Sequence, residues 1–279
     1  MTLVPREVPK TDPSSAFDEP RASRTPVPVA IPGGAGAYIR KMWNVCRFIR
    51  IRYGPGERHP RPRVEDPLDR WFFHLLNIRL LDIDDLLYRR RYVEAGRILH
   101  PILVKEFSRW YLEFVKAEGD TAQSVRFRKQ NLLVIFDCLL RMSAPLFPSA
   151  CDQIAANLYG CSLPPPAPAD SSGYRGNWIF PREYREIESL KQWIRLIRRA
   201  AHLQNLPSLH GRRVTLRVRD RETGKMLDRY RSRLLDMTRA REVLITTVRH
   251  ASDHSTGQSG DDRSGWGVRI EPSRDQVWE

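Results

Sequence analysis

The chain has 279 residues, enough for roughly two domains of about 150 residues each. It carries 47 Lys and Arg residues against 33 Asp and Glu residues, a formal net charge of +14, so a polyanion is the expected partner and nucleic acid the first candidate. Hydrophobic residues make up 41% of the chain and aromatic residues 9%, which supplies a core and excludes a wholly disordered protein.

Composition divides the chain into three Pro-, Ser- or Gly-rich segments and two blocks able to fold. We predict an extended tail over 1–36, a Pro-rich linker over 161–177 and a second extended tail over 251–279. Between them, residues 37–160 are predicted to form a helical bundle and residues 178–250 a smaller unit. The predicted fold class is mainly α: an antiparallel helical bundle followed by a small α+β unit, with extended Pro/Ser-rich tails.

The first block shows apolar residues at helical spacing in five segments. Asp66, followed by Pro67 and Asp69, is the strongest helix start, because an Asp side chain caps a helix and a proline fits its first position. Pro101, in the middle of the third segment, lacks a backbone N–H and is predicted to kink that helix. Short breaks between the segments are typical of an antiparallel bundle. The predicted helices cover 38–52, 67–88, 92–117, 122–142 and 149–158.

The second block mixes helical and strand periodicity and carries most of the excess positive charge. Apolar spacing predicts helices over 183–204 and 227–239, and alternating apolar residues predict strands over 213–219 and 242–248. From residue 182 to residue 249 there are 18 Lys and Arg residues against 8 Asp and Glu residues, a net charge of +10. Contact with a polyanion is therefore expected in this unit.

One face of the helix predicted over 183–204 is basic, and the opposite face is apolar. At about 100° per residue, four of its basic side chains fall within about 60° of one another. Arginine forks match phosphate oxygens, and each neutralised phosphate releases counterions, so this face is predicted to bind RNA. An ordinary solvated basic face is the alternative, here and at the second candidate. The predicted residues are Lys191, Arg195, Arg198, Arg199 and His202 on the helix, Arg212, Arg213, Arg217 and Arg219 on the neighbouring strand, and Arg89, Arg90 and Arg91 as the second candidate.

Several aromatic and histidine side chains could serve a site, but their spacing favours the core. They recur among Leu and Phe residues at helical intervals, so packing is favoured over base stacking or catalysis. The residues of this kind are Trp71, Trp110, Tyr111, Trp193, His74 and His100. No Ser/His/Asp arrangement, carboxylate pair or Gly-rich phosphate loop stands out, so no catalytic residue and no cofactor are predicted.

The four cysteines are neither paired nor placed at zinc-ligand spacing. Cys46, Cys138, Cys151 and Cys161 form no C-x-x-C motif, so we expect reduced, mostly buried thiols, no disulfide framework and no metal. Arginines interrupt every long apolar helix, so we expect a soluble protein without membrane contact. The first 35 residues mix acidic and basic side chains, which fits neither a secretory signal nor a transit peptide; an organellar presequence would already have been removed.

Seven short motifs follow one another in a particular order along the chain. They are IRKMWNVCRF at 39–48, LDRW at 68–71, YVEA at 92–95, FSRWYLEFVK at 107–116, TA at 121–122, LLRMSAPLFP at 139–148, and IRLIRR at 194–199 followed by LP at 206–207. In this order they resemble the anticodon-binding region of class I aminoacyl-tRNA synthetases, the valyl-tRNA synthetases in particular. Each motif is weak alone, but the order is hard to produce by chance. The resemblance covers roughly two thirds of the chain and implies a helical bundle that recognises tRNA.

The sequence departs from this family where catalysis would reside. The family's catalytic domain carries an H-I-G-H signature and a K-M-S-K-S loop that hold ATP, and neither motif occurs here. About 38 residues precede the predicted bundle, too few for a nucleotide-binding or editing domain. After Pro148 the family's segment with paired Glu and Trp is replaced. The resemblance therefore implies a derivative that is not an enzyme and has no small-molecule substrate.

We expect a non-catalytic RNA-binding protein that acts as a structural subunit of a ribosome, contacting rRNA and neighbouring ribosomal proteins. A mitochondrial ribosome in the matrix is the first expectation and the cytoplasm the alternative. Pro/Ser-rich arms that become ordered along RNA favour this function. One alternative is a tRNA-binding factor or synthetase-associated subunit that keeps the family's ligand. Another is a protein-only scaffold or assembly subunit whose charge meets an acidic protein or lipid surface.

Overall fold

The structure is a computed structural model that describes residues 31–56, 62–117, 122–163, 178–247 and 267–272. Most of the described residues are helical, which confirms the mainly α fold class. The predicted N-terminal tail and the Pro-rich linker lie almost entirely outside the described residues, and so does most of the C-terminal tail. These three predictions stay predictions, except where the C-terminal segment forms a strand, as given below.

The first block forms a bundle of helices whose apolar faces meet in a common core. Its described helices agree with the predicted segments to within a few residues, and the third segment is divided at Pro101. The helix α1 packs on α5 and α6, while α2 packs on α3 and α5. The elements are α1 (Ala35–Tyr53), α2 (Pro67–Tyr88), α3 (Tyr92–Pro101), a π-helix (Ile102–Tyr111), α4 (Leu112–Ala117), α5 (Ala122–Ser143) and α6 (Pro148–Tyr159).

The start of α2 is fixed by the residues that the sequence indicated. The Asp66 side chain accepts a hydrogen bond from the backbone N–H of Leu68 at 2.7 Å, and Pro67 occupies the first helical turn. Asp66 also accepts two hydrogen bonds from the guanidinium of Arg233, at 2.7 and 2.8 Å. One carboxylate therefore caps a bundle helix and holds an arginine of the second unit.

Asp69, one turn later, is a buried carboxyl group rather than a surface acid near the helix dipole. Its two oxygens accept hydrogen bonds from the Tyr111 hydroxyl at 2.5 Å and the Asn131 side-chain N–H at 2.7 Å. Burial raises the pKa of Asp69 to about 7, although both hydrogen bonds favour the charged form. This cluster ties α2 to the π-helix and α5.

Hydrogen bonding changes from α to π type immediately after Pro101. Proline has no N–H to donate, and from Ile102 to Tyr111 the chain follows the wider π spiral. The Ser108 hydroxyl donates to the carbonyl oxygen of Leu103, five residues earlier, at 2.8 Å. A wider spiral rotates the side chains relative to an α-helical projection, yet Trp110 and Tyr111 are both buried, as their spacing favoured.

The second block is a small sheet covered on one face by helices. Strand β1 lies between β2, to which it is parallel, and β3, to which it is antiparallel. Val214 pairs with Val243 on one side and Ile270 on the other, and all three are buried. The elements are α7 (Pro181–Leu203), β1 (Arg212–Val218), α8 (Arg221–Arg229), α9 (Arg231–Thr238), β2 (Glu242–Thr247) and β3 (Gly267–Pro272).

Two predictions for this block are corrected. The segment over 251–279 was predicted as a tail, but it contains strand β3. This strand is only six residues long, too few for an alternating apolar pattern to be recognised in the sequence. The single helix predicted over 227–239 is two helices, α8 and α9, which meet at Tyr230. Asp220 begins α8 by accepting a hydrogen bond from the backbone N–H of Thr223 at 2.7 Å.

The two blocks share one hydrophobic cluster rather than two separate cores. The rings of Phe73 in α2 and Trp178 before α7 lie 4.5 Å apart, centroid to centroid. His74 accepts a hydrogen bond from the backbone N–H of Phe180 at 3.1 Å, and His100 lies beside the ring of Tyr38. Both histidines thus have the packing roles favoured by the sequence. The candidate stacking aromatics are also buried: Trp71, Trp110, Tyr111 and Trp193.

The thiols lie as the sequence suggested, with one exception. Cys46, Cys138 and Cys151 are buried, and burial raises the pKa of each thiol, whereas Cys161 is exposed. Within the described ranges, no group of three or more His, Cys, Asp or Glu side chains is arranged to hold a metal ion. No helix in the described part of the chain is both long enough and apolar enough to cross a membrane.

Candidate nucleic-acid interface

The basic face of α7 is exposed only in the C-terminal half of the helix. Arg195, Arg198, Arg199 and His202 are all solvent-exposed, as the helical projection predicted. The same face in the N-terminal half, at Tyr184, is half-buried against His74 of α2. The predicted basic face therefore begins at Arg195 and extends to the end of the helix. We call these four exposed residues the α7 arginine face.

The prediction that Lys191 belongs to the exposed basic face is wrong, because Lys191 lies in the interior. Its side chain is 0% exposed, and its Nζ atom lies 2.5 Å from Glu106 and 2.7 Å from Glu188. The rings of Trp71 and Trp110 enclose the same Nζ at 4.7 and 5.7 Å. The helical projection gave the right angular position but could not show that the π-helix packs over it.

The ring of Trp110 makes cation–π contacts with two of the exposed arginines. The guanidinium carbons of Arg195 and Arg198 lie 5.2 and 5.6 Å from the centre of its ring. Arg198 also donates a hydrogen bond from Nη2 to the carbonyl oxygen of Met237, at 3.1 Å. Partial burial lowers the pKa of Arg198; nearby Glu113 raises it and Arg109 lowers it further. Stacking on the indole restricts both guanidinium groups, so less entropy is lost when they bind phosphate.

The α7 arginine face has few carboxylates to neutralise it. Among the described residues, Arg195, Arg198 and Arg199 form no ion pair, and neither does Arg109 of the neighbouring π-helix. Glu186, an acidic residue near the start of α7, is engaged by two other arginines, Arg182 and Arg229. The exposed arginines in the C-terminal half of α7 thus keep positive charge that no ion pair among the described residues neutralises.

The strand arginines do not continue this face, although the sequence predicted that helix and strand would combine. Side chains alternate along β1, so Arg213 and Arg217 lie on the sheet face opposite to buried Val214 and Leu216. Arg213 is paired with Glu242 at 2.6 Å, while Arg217 is exposed. Arg212 lies on the other sheet face and is half-buried, and Arg219 is exposed just beyond the strand. Arg213 and Arg217 are therefore on the sheet face away from the helices, whereas Arg212 is on the face that the helices cover.

The second candidate, the turn between α2 and α3, is largely neutralised. Arg89 forms an ion pair with Asp85 at 2.9 Å, and Arg91 forms one with Glu94. Arg90 is exposed and adopts a left-handed backbone conformation, with φ at 58°. Two of the three charges thus have carboxylate partners on their own helices, which favours the reading of a solvated charge run at this turn.

A polar cavity adjoins the α7 arginine face, and most of its residues were missed from the sequence. It has a volume of about 530 Å³ and lies between α4, α7 and α9. Lys116 and Arg239 join Arg198 there because α9 packs on α4, a contact between residues more than 100 positions apart. No local pattern signals such a contact. The lining residues are Glu113, Lys116, Arg198, Asp236, Met237 and Arg239.

The family model for the anticodon-binding domain of tRNA ligases matches residues 69–214. This match runs from the first turn of α2 to the middle of β1. It includes the π-helix and all of α7, so the α7 arginine face lies within it. The resemblance to the anticodon-binding region of class I synthetases is thereby confirmed.

Individual relatives are tRNA ligases, and this chain resembles a part of each. The valine–tRNA ligase of Lacticaseibacillus casei is 31% identical over 115 residues, 40% of this chain and 13% of that ligase. The isoleucine–tRNA ligase of Methanopyrus kandleri is 27% identical over 175 residues, 58% of this chain and 16% of that ligase. The valine–tRNA ligase of Staphylococcus carnosus is 24% identical over 198 residues, 68% of this chain and 22% of that ligase. The matched part spans less than a quarter of each of these relatives.

Proposed function

Because the chain belongs to the anticodon-binding domain family of tRNA ligases, we propose that it is an RNA-binding protein that does not itself catalyse aminoacylation. The observation that carries this proposal is the α7 arginine face, where Arg195, Arg198 and Arg199 form no ion pair with any described residue. An unneutralised row of guanidinium groups on a rigid helix matches the phosphates of a nucleic-acid backbone.

The absence of catalysis is supported by where the similarity falls. The family match covers the anticodon-binding domain, and the two ATP-holding signatures of the synthetases do not occur in the sequence. Binding, with no chemical step, is therefore the activity that these residues support.

Within this activity, we propose that the protein is a structural subunit of a mitochondrial ribosome that contacts rRNA in the matrix and lies beside other ribosomal proteins. The net charge of +14 and the Pro/Ser-rich terminal sequences support a subunit embedded in a large ribonucleoprotein. The alternative is a factor that binds tRNA. This alternative is favoured because the anticodon-binding family model covers α7.

Purification of the native complex tests these proposals together. The tagged protein would be isolated from its own cells, sedimented with and without ribonuclease, and crosslinked so that the bound RNA can be sequenced. We expect co-sedimentation with a mitochondrial ribosomal particle and crosslinks to rRNA. Crosslinks to tRNA anticodon loops would select the alternative, and a complex that contains no RNA and survives ribonuclease would refute RNA binding.

A further inference from the structure

The cavity beside the α7 arginine face offers both donors and an acceptor that the described residues leave unused. Asp236 forms no ion pair or hydrogen bond with any described residue, and Arg239 forms no ion pair with any of them. Glu113, by contrast, is already engaged by Lys116 at 2.7 Å. A free carboxylate and a free guanidinium thus line one cavity, three residues apart in the chain, without binding each other.

The size of this cavity suits a small ligand. Its volume of about 530 Å³ falls within the range of roughly 300–1,000 Å³ that is typical of ligand pockets. Met237 also lines the cavity, although it is only 9% exposed. The carbonyl oxygen of Met237 holds Arg198 in place at the cavity wall.

The charges that line the cavity restrict what the ligand can be. A simple anion would meet the carboxylates of Asp236 and Glu113, and a simple cation would meet Lys116, Arg198 and Arg239. A ligand that carries an anionic group at one end and N–H donors at the other satisfies both sets. A nucleotide has this form, and guanine is the base whose ring N–H and exocyclic amino group can donate side by side to one carboxylate.

We propose that this cavity binds one guanosine nucleotide of single-stranded RNA. Asp236 accepts the two N–H groups of the guanine edge, and Arg198 and Arg239 bind the phosphate. Splayed-out bases that are read on their Watson–Crick edges are the usual basis of sequence-specific RNA recognition. The inference rests on the proposed function, since it names the nucleotide that the RNA-binding surface selects.

RNA, and not a free nucleotide, is the expected source because the cavity continues into the α7 arginine face. Arg198 lines the cavity and shares the Trp110 ring with Arg195, which lies outside it. A nucleotide held in the cavity therefore has arginines within reach of its neighbouring phosphates. These contacts would raise the affinity for RNA above that for the mononucleotide.

The test compares single-stranded oligouridine RNAs that carry one central guanosine, one central inosine or neither. Inosine lacks the exocyclic amino group, so the wild-type protein should bind the inosine RNA about tenfold more weakly than the guanosine RNA. Asp236→Asn should bind both RNAs with equal affinity, whereas the control Glu65→Gln, which removes an exposed carboxylate elsewhere, should keep the difference. Arg239→Gln should weaken binding of both RNAs without removing the difference.

The outcomes separate this inference from the proposed function. Equal binding of all three RNAs by the wild-type protein would overturn the guanosine pocket while leaving RNA binding intact. No binding of these RNAs or of a folded tRNA would refute the proposed function itself. Guanosine 5′-monophosphate that binds as tightly as the guanosine RNA would overturn the assignment to RNA. Circular dichroism melting of each variant establishes that it is folded, which is expected because Asp236 and Arg239 are exposed.

Discussion

At the scale of single residues, the position of Lys191 shows how the same helix face can be interior at one end and a binding surface at the other. Lys191 and Arg195 are one turn apart on α7, yet Lys191 is fully buried between two glutamates and two indoles. A buried ammonium is tolerated because Glu106 and Glu188 compensate its charge. A basic side chain therefore stabilises the fold at position 191, and one helical turn later, at position 195, a basic side chain is available to a ligand.

Replacement of Lys191 by methionine is expected to destabilise the protein, because Glu106 and Glu188 would be left close together without a cation. Loss of one partner of a fully buried pair costs about 3–5 kcal/mol; since both glutamates are partly exposed, we expect about 2 kcal/mol in urea unfolding. Arg199→Met, on the exposed face of the same helix, should change stability by less than about 0.5 kcal/mol and weaken RNA binding instead. A Lys191→Met protein as stable as the wild type would show that the ion cluster is not structural.

Asp69 should make stability depend on pH. With its pKa raised to about 7 by burial, the folded protein keeps this proton up to near-neutral pH, whereas an unfolded Asp releases it near pH 3.9, approximately. The folded state therefore binds more protons in between, so the contribution of Asp69 is fully present below about pH 4 and is lost as pH rises through about 7. Urea unfolding should show this loss, on the order of 2–4 kcal/mol, in the wild-type protein.

The matched variant is Asp69→Asn, which keeps the size of the side chain and removes the titration. Its free energy of unfolding should change less with pH between about 4 and about 7 than that of the wild type. Identical pH profiles for the two proteins would mean that Asp69 is already ionised in the folded state throughout this range.

At the scale of elements, α2 links the bundle to the second unit through its N-terminal cap. Asp66 both caps α2 and binds Arg233 of α9, whose side chain is only 10% exposed. The sequence predicted the cap from local residues, because capping involves neighbours in the chain. The ion pair could not be predicted in this way, since Asp66 and Arg233 are separated by 167 positions.

Two substitutions at Asp66 should separate these roles. Asp66→Asn keeps a capping side chain but loses the charge that faces Arg233, whereas Asp66→Ala loses both. We expect Asp66→Ala to be less stable than Asp66→Asn by about 1 kcal/mol, the usual value of a cap. Asp66→Asn should itself lose about 1–3 kcal/mol, because Arg233 would be left partly buried without its partner. If Asp66→Asn unfolds at the same urea concentration as the wild type, the ion pair contributes nothing.

The π-helix marks a limit of prediction from sequence at this scale. Pro101 correctly signals a break in α-helical hydrogen bonding, but the missing N–H alone does not say whether the chain kinks or widens. Here it widens over ten residues, from Ile102 to Tyr111. Glu106 and Trp110 of this π-helix lie against α7. Lys191 is therefore buried, and the guanidinium group of Arg195 contacts the Trp110 ring.

At the scale of the whole molecule, apolar periodicity and capping residues predicted the helices of the bundle well. This is because the apolar face of each helix is encoded by residues close together in the sequence. The sequence also located the α7 arginine face, apart from Lys191. It could not predict β3, the placement of Arg213 and Arg217 on the sheet face away from the helices, or the cavity between α4, α7 and α9. Each of these depends on packing between distant segments, which local patterns do not encode.

The central claim is that the α7 arginine face binds RNA through its phosphates. Its most direct test is the dissociation constant for a tRNA transcript measured over a series of salt concentrations, for the wild type, Arg195→Gln/Arg199→Gln and the control Arg40→Gln/Arg221→Gln. The control removes two exposed arginines from α1 and α8, so its total charge equals that of the first variant. We predict that the α7 variant binds more weakly and that its log–log salt slope is shallower by about 1.5–2, while the control stays close to the wild type. Equal affinities and equal slopes for the two variants would contradict the claim, because net charge alone would then account for the binding.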